Sequence, residues 1–136
     1  MKNILFVCIE NSCRSQMAEG FFNHLAQGKA KAFSAGTQPS KEVNPLAIRV
    51  MKEVGVDISN QRPKLLTEEQ IKNADRVVVM GCGADVGAVC PAVVLERVEN
   101  WDIEDPKGKP IEKFREVRDI IREKIESLVK EIEKQN

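Results

Sequence analysis

The segment Asn3–Cys8 (NILFVC) is apolar from Ile4 onward and shows no period-two alternation. Such a run suits a strand buried on both faces, and strands of that kind belong to parallel sheets covered by helices on each side. The residues that follow narrow the choice further. From Ser15 the pattern changes period: Met17, Ala18, Phe21, Phe22 and Leu25 recur three or four apart, which predicts an amphipathic helix with a stop at Gly28. A buried strand that passes through a short loop into a helix is the first half of a βαβ unit.

The remaining chain repeats this alternation. Ala32–Ala35 is a short strand candidate closed by Gly36. Asn44 is placed to cap a helix with Pro45 in its first turn and Gly55 just past its end. Thr67 and Gln70 have the spacing of a capping box, for a short helix to Asn73. Arg76–Met80 (RVVVM) reads as another buried strand and Ala92–Val98 as a weaker one. From Pro110, the stripe Ile111, Phe114, Val117, Ile121, Ile125, Leu128 and Ile132 predicts one long helix. A coiled coil would show the same stripe, but packing on the sheet is preferred, with the charges as a solvated face. The expectation is an α/β fold with a parallel sheet, helices on both faces and right-handed crossovers. No repeat or linker divides residues 1–136, and that length is enough for one domain with a core of its own.

Lys plus Arg equals Asp plus Glu at 21 each, so no global field draws the chain to nucleic acid or an acidic membrane, and any anion affinity must be local. No apolar run approaches the ~20 residues that span a bilayer. Met1–Val7 is too short for a signal peptide and lacks its cleavage site, so a cytoplasmic protein is expected. In that compartment the four cysteines read as catalytic or metal-binding rather than as a disulfide framework.

The loop Cys8-Ile9-Glu10-Asn11-Ser12-Cys13-Arg14-Ser15 joins the first strand to the first helix. Backbone N–H groups of a tight loop entering a helix converge on one point, and the helix dipole adds positive potential there. Residues 9–14 are therefore candidates to bind an oxyanion, with Arg14 offering a planar pair of donors. Cys8 sits at the base of this cradle, where the positive field favours the nucleophilic thiolate. Ser15 is placed to donate to that sulfur or to shape the loop. The competing reading is that Cys8 merely ends a buried strand.

C-x5-R-S after an N-terminal strand resembles the low-molecular-weight protein tyrosine phosphatase superfamily. The run Cys8–Glu19 (CIENSCRSQMAE), with Phe33-Ser34-Ala35-Gly36, Asn44-Pro45, Val56-Asp57-Ile58-Ser59, Trp101 and Asp105-Pro106, resembles its arsenate reductase branch across nearly the whole chain. The resemblance implies a three-layer sandwich with a four-stranded parallel sheet. It also implies a relay. Cys8 attacks bound arsenate, Cys82 attacks the adduct to release arsenite, and Cys90 attacks Cys82, leaving a disulfide for thioredoxin or a similar dithiol protein to reduce. Phosphate and sulfate would compete for the cradle. The spacing from Cys82 to Cys90 is one residue longer than the branch pattern. Gly81, Gly83 and Gly87 make the segment cheap to rearrange. Asp105 matches the family's general acid, although Asp-Pro alone is a common turn element.

Some reductases of this branch bind potassium through an Asn, a Glu, a Ser and an Asp. Asn11, Glu19 and Ser34 match three of these positions, and Lys64 stands at the fourth. Its ammonium is expected to take the ion's place and make activity insensitive to potassium. Zinc binding by the cysteines is disfavoured because paired C-x2-C spacing is absent and His24 falls on a helix away from them. No metal or cofactor is expected, and the chain is taken as a monomer.

The alternative activity is that of a tyrosine phosphatase using Cys8, Arg14 and Asp105. Phosphatases of the superfamily carry a Tyr after the Asp-Pro pair; here that place is Lys107 and the chain has no Tyr at all. A phosphotyrosine ring would have little to stack on. A phosphatase also needs no cysteine beyond the loop, so both features favour the reductase. A redox sensor without turnover has no positive support. Cys13 is given no obligatory role beyond its place in the loop.

Overall fold

The computed structural model describes residues 2–81, 86–89 and 97–135. Strands β1 (Lys2–Cys8), β2 (Ala30–Gly36), β3 (Arg76–Met80) and β4 (Val98–Trp101) form one sheet in the order β2-β1-β3-β4, with every pairing parallel. Helices α1 (Arg14–Ala26), α2 (Pro45–Glu53), α3 (Glu68–Asn73), α4 (Val86–Val89) and α5 (Ile111–Gln135) alternate with them.

The unbroken apolar run of β1 is explained by two cores. Ile4, Phe6 and Cys8 join Val78 and Met80 beneath α1, α2 and α5, while Leu5 and Val7 join Val77 and Val79 on the face covered by α3 and α4. The fold is therefore the three-layer α/β sandwich that the resemblance implied. From β1 the chain moves outward to β2, then returns to β3 on the other side of β1. The strand order thus reverses at β1, and the C-terminal ends of β1 and β3 lie next to each other, where folds of this kind open a crevice. Val7 lies opposite Val79, so Cys8 and Met80 end the two central strands side by side.

Local signals act as their chemistry dictates. The Asn44 side chain accepts from Leu46 N–H at 2.9 Å, with Pro45 opening α2. Thr67 Oγ1 accepts from Gln70 N–H, and Gln70 Oε1 accepts from Thr67 N–H, completing a capping box. In α5, Phe114, Val117, Ile121, Ile125, Leu128 and Ile132 are all buried in the core shared with α1 and α2.

Three expectations are corrected. Leu25 is 39 % exposed rather than part of the buried face of α1, because Phe22 and Ala26, four apart, occupy that face at the last turn. β2 is longer than Ala32–Ala35 and, as an edge strand, turns Lys31 and Phe33 outward, with the Lys31 ammonium 5.2 Å from the Phe33 ring centre. The fourth strand pairs from Val98 to Trp101, beyond the apolar run Ala92–Val98, of which residues 92–96 lie outside the described residues. Its hydropathy is masked by Glu99, which accepts from Arg76 across the sheet at 2.6 Å.

Charge ties α2 to α5. Glu53 receives hydrogen bonds from Arg115 and Arg118, and the Arg115 bond first of all holds its carboxyl down at about 2, against an ordinary 4.5. Because the folded-state value is depressed, this contribution is present above pH 4.5 and is lost as pH falls towards 2. Glu53→Gln is expected to flatten the decline in stability between those two values, measured by urea unfolding at stepped pH.

Candidate active site

The loop from Ile9 to Cys13 is held open by what its carbonyls do. The carbonyls of Ile9, Glu10 and Ser12 accept from the N–H groups of Gln38, Ser40 and Asn44 at 2.8–3.0 Å. In a trans peptide the N–H points opposite to its C=O. The N–H groups of Glu10, Asn11 and Cys13 are thereby turned inward, and Asn11 N–H donates to Cys8 Sγ at 3.1 Å. Gly36 makes this brace possible: a Cβ there would stand 2.5 Å from Ile9 O and 2.9 Å from Asn11 N.

Asn11 sits at φ +53°, in the left-handed region that Asn tolerates better than most residues. Its side chain donates to Ser15 Oγ at 2.7 Å and accepts from Gln16 Nε2 and Lys64 N–H. Since Ser15 Oγ is already accepting, its own hydrogen is left for Cys8 Sγ, 2.8 Å away. Two donors therefore converge on one buried sulfur. They suit it as a nucleophile and again as a leaving group.

Arg14 opens α1 and is almost fully buried. Its guanidinium donates to Ile103 O at 2.9 Å and lies 3.7 Å from Asp105 Oδ2. It rests on Gly81, where a Cβ would come within 2.3 Å of its Nη1. Asp105 is half exposed, and its other oxygen accepts from Lys107 N–H at 3.0 Å. Cys8, Ile9, Glu10, Ser12, Cys13, Arg14 and Asp105 line a cavity of about 80 Å³. A larger hollow, about 260 Å³, lies between β1, β2 and α3 around Phe33, but its lining holds neither a cysteine nor an arginine. Burial pushes the Cys13 thiol up to about 12, so at neutral pH it stays protonated beside the nucleophile.

Behind the loop, Asn11, Glu19, Ser34 and Lys64 come together. Ser34 Oγ donates to Glu19 Oε1 at 2.7 Å, and the Lys64 ammonium lies 3.8 Å from the same oxygen while donating to Arg62 O. With an ammonium supplied where a potassium ion would need an oxygen, these four residues do not fit that ion. Among the described residues, no group of three His, Cys, Asp or Glu side chains is placed to hold a metal. Cys82 and Cys90 lie outside the described residues.

Sequence reasoning missed Gln16, fully buried and bonded to Asn11 and to Arg62 O, because a Gln in the first turn of a helix reads as surface. It read Gly81 only as a source of cheap rearrangement and missed that Gly81 and the Ile103 carbonyl seat Arg14 from distant segments. The Asn44 cap was the one local hint that residues 37–44 brace the loop.

A family model described as low molecular weight phosphotyrosine protein phosphatase matches residues 3–136. The chain belongs to this family. Among its relatives, the chain is 43 % identical over 136 residues to the glutaredoxin arsenate reductase of Synechocystis sp., covering 97 % of this chain and 99 % of that one. A solved arsenate reductase in the phosphate binding state matches with a TM-score of 0.85 at 41 % identity, over 97 % of this chain and 99 % of the other. A low molecular weight protein tyrosine phosphatase from T. tengcongensis matches with a TM-score of 0.88 at 31 % identity, over 96 % and 99 %. Members of the family thus share this fold while differing in named activity, and the choice of reaction rests on the site.

Gly81→Ala is expected to displace the Arg14 guanidinium and weaken inorganic phosphate binding by about tenfold or more, the scale of a lost charge-assisted bond. Gly28→Ala is the control: it has a similar positive φ of +81° but open space around its Cβ, so it should cost stability without touching affinity. Calorimetric titration with phosphate checks both, and equal affinities would contradict the seating role.

Proposed function

We propose that this chain reduces arsenate to arsenite through Cys8, Cys82 and Cys90, with a dithiol protein of the thioredoxin or glutaredoxin kind as electron donor. The observation that carries the reading is the position of Gly81. It follows β3 directly and lies against the guanidinium of Arg14, so Cys82, the next residue in sequence, continues a segment that already touches the anion site.

Cys8 Sγ attacks arsenic, an oxygen leaves as water with a proton from Asp105, and a sulfur–arsenic(V) bond is formed. The loop N–H groups and Arg14 hold the remaining oxygens. Cys82 sulfur attacks Cys8 Sγ; the S–As bond breaks with its electron pair going to arsenic, which leaves as arsenite, and a Cys8–Cys82 disulfide remains. Cys90 attacks Cys82, freeing Cys8 as a thiolate to which Asn11 N–H and Ser15 O–H donate. The Cys82–Cys90 disulfide then passes to the donor. Lys64 supplies the positive charge beside Glu19 that steadies Asn11. In this reading the protein works as a monomer in the cytoplasm, where dithiol donors are reduced.

Phosphatase chemistry by Cys8, Arg14 and Asp105 is the second reading. It shares the first attack and needs neither Cys82 nor Cys90. Lys107, in place of an aromatic residue, argues against an aryl phosphate as the main substrate.

Arsenate-dependent NADPH oxidation, coupled through thioredoxin and its reductase, separates the two. Cys8→Ser, Cys82→Ser and Cys90→Ser are each expected to lose turnover by about a hundredfold or more, as for removal of a covalent participant. Turnover at the wild-type rate in Cys82→Ser and Cys90→Ser would overturn the relay.

A further inference from the structure

Two carboxylates line the cavity proposed to take an anion: Glu10 on the loop after β1 and Asp105 on the segment after β4. Acids at the mouth of such a site oppose a dianion unless something offsets them. Asp105 has Arg14 nearby. Glu10 is gripped by Lys107, whose Nζ lies 2.6 Å from both of its oxygens. Lys107 is fixed at its base as well, because its N–H donates to Asp105 Oδ1. One side chain therefore reaches from the turn that holds Asp105 to the loop that holds Cys8. Both partners are partly exposed, and an ion pair of that kind contributes little to stability. Its place, across two walls of the cavity, is what sets it apart.

We propose that the Glu10–Lys107 pair is a specificity gate, admitting free tetrahedral oxyanions and turning away those esterified to a bulky group. The proposal deepens the anion-site reading above and rests on it. A free oxyanion needs only the cradle. An ester must also place its substituent on the side facing the acid that protonates its leaving oxygen, which is the Asp105 side. The Lys107 stem leaves from that side and closes on Glu10. The bridge does two separable things: it covers the substituent's exit, and it neutralises a carboxylate that would repel the anion.

The test reads binding without turnover. Alkylation of Cys8 by iodoacetamide, localised by peptide mapping, is measured with inorganic phosphate and with phenylphosphonate as protecting anions. In the wild type, phosphate protects and phenylphosphonate protects poorly. Lys107→Ala exposes Glu10 and is expected to weaken protection by phosphate about fivefold, as for an uncovered like charge. Adding Glu10→Gln recovers that loss, and phenylphosphonate then protects about tenfold better relative to phosphate than in the wild type, since cover and charge are both gone. The exchanged pair Glu10→Lys with Lys107→Glu rebuilds the bridge and should return that ratio to within about twofold of the wild type, as a repulsive element restored. A ratio that does not move in the double variant overturns the gate, as does equal protection by the two anions in the wild type. A protein that shows the predicted ratios but never reduces arsenate keeps the gate and loses the reductase reading.

Discussion

Asn11 holds the anion loop in shape, and most of the site depends on its position. Its left-handed backbone aims one N–H at Cys8 Sγ, and its amide binds Ser15, Gln16 and the Lys64 backbone at once. Removing that amide would take the acceptor from the Lys64 N–H, a loss of about 1–3 kcal/mol, and strip Ser15 and Gln16 of one bond each while leaving them others. The sulfur would also lose the arrangement that directs the Ser15 hydroxyl at it. The support extends outward: Gln16 is tied to Gln61 and Arg62, and Ser34 and Lys64 meet on Glu19. A loop with so many cross-braces is built before its ligand arrives, as preorganised anion sites must be.

The sheet decides what surrounds this loop. Because β1 lies between β2 and β3, chain emerging from β3 meets the anion loop immediately, and Gly81 has no room for a side chain beside Arg14. The strand order sets the ends of β1 and β3 side by side, so Cys8 and Met80 are neighbours. It also brings the segment after β4, with Ile103 and Asp105, against the guanidinium from another side.

Much of this was legible in the sequence because the signals were local. NILFVC declared a strand buried twice over, Thr67–Gln70 a capping box, and C-x5-R-S a strand-to-helix anion loop. What stayed hidden was contributed by distance. The carbonyl brace from residues 37–44, the seat beneath Arg14 and the bond between Lys107 and Glu10 join segments far apart in the chain. Glu99 and Asn100 hid the last strand, because Glu99 is satisfied by Arg76 across the sheet and Asn100 lies exposed on the edge strand. Leu25 misled because at the last turn of α1 the core face is taken by Phe22 and Ala26 instead.

The central claim is that Cys8 is a nucleophile whose adduct is resolved by thiols of the same chain. Its most direct test is a single turnover: fully reduced protein mixed with excess arsenate and no reductant, followed by arsenite and thiol counts. The account predicts one arsenite released per chain, with two of the four thiols lost. Release of no arsenite with all thiols retained, in protein that hydrolyses an aryl phosphate, would contradict it.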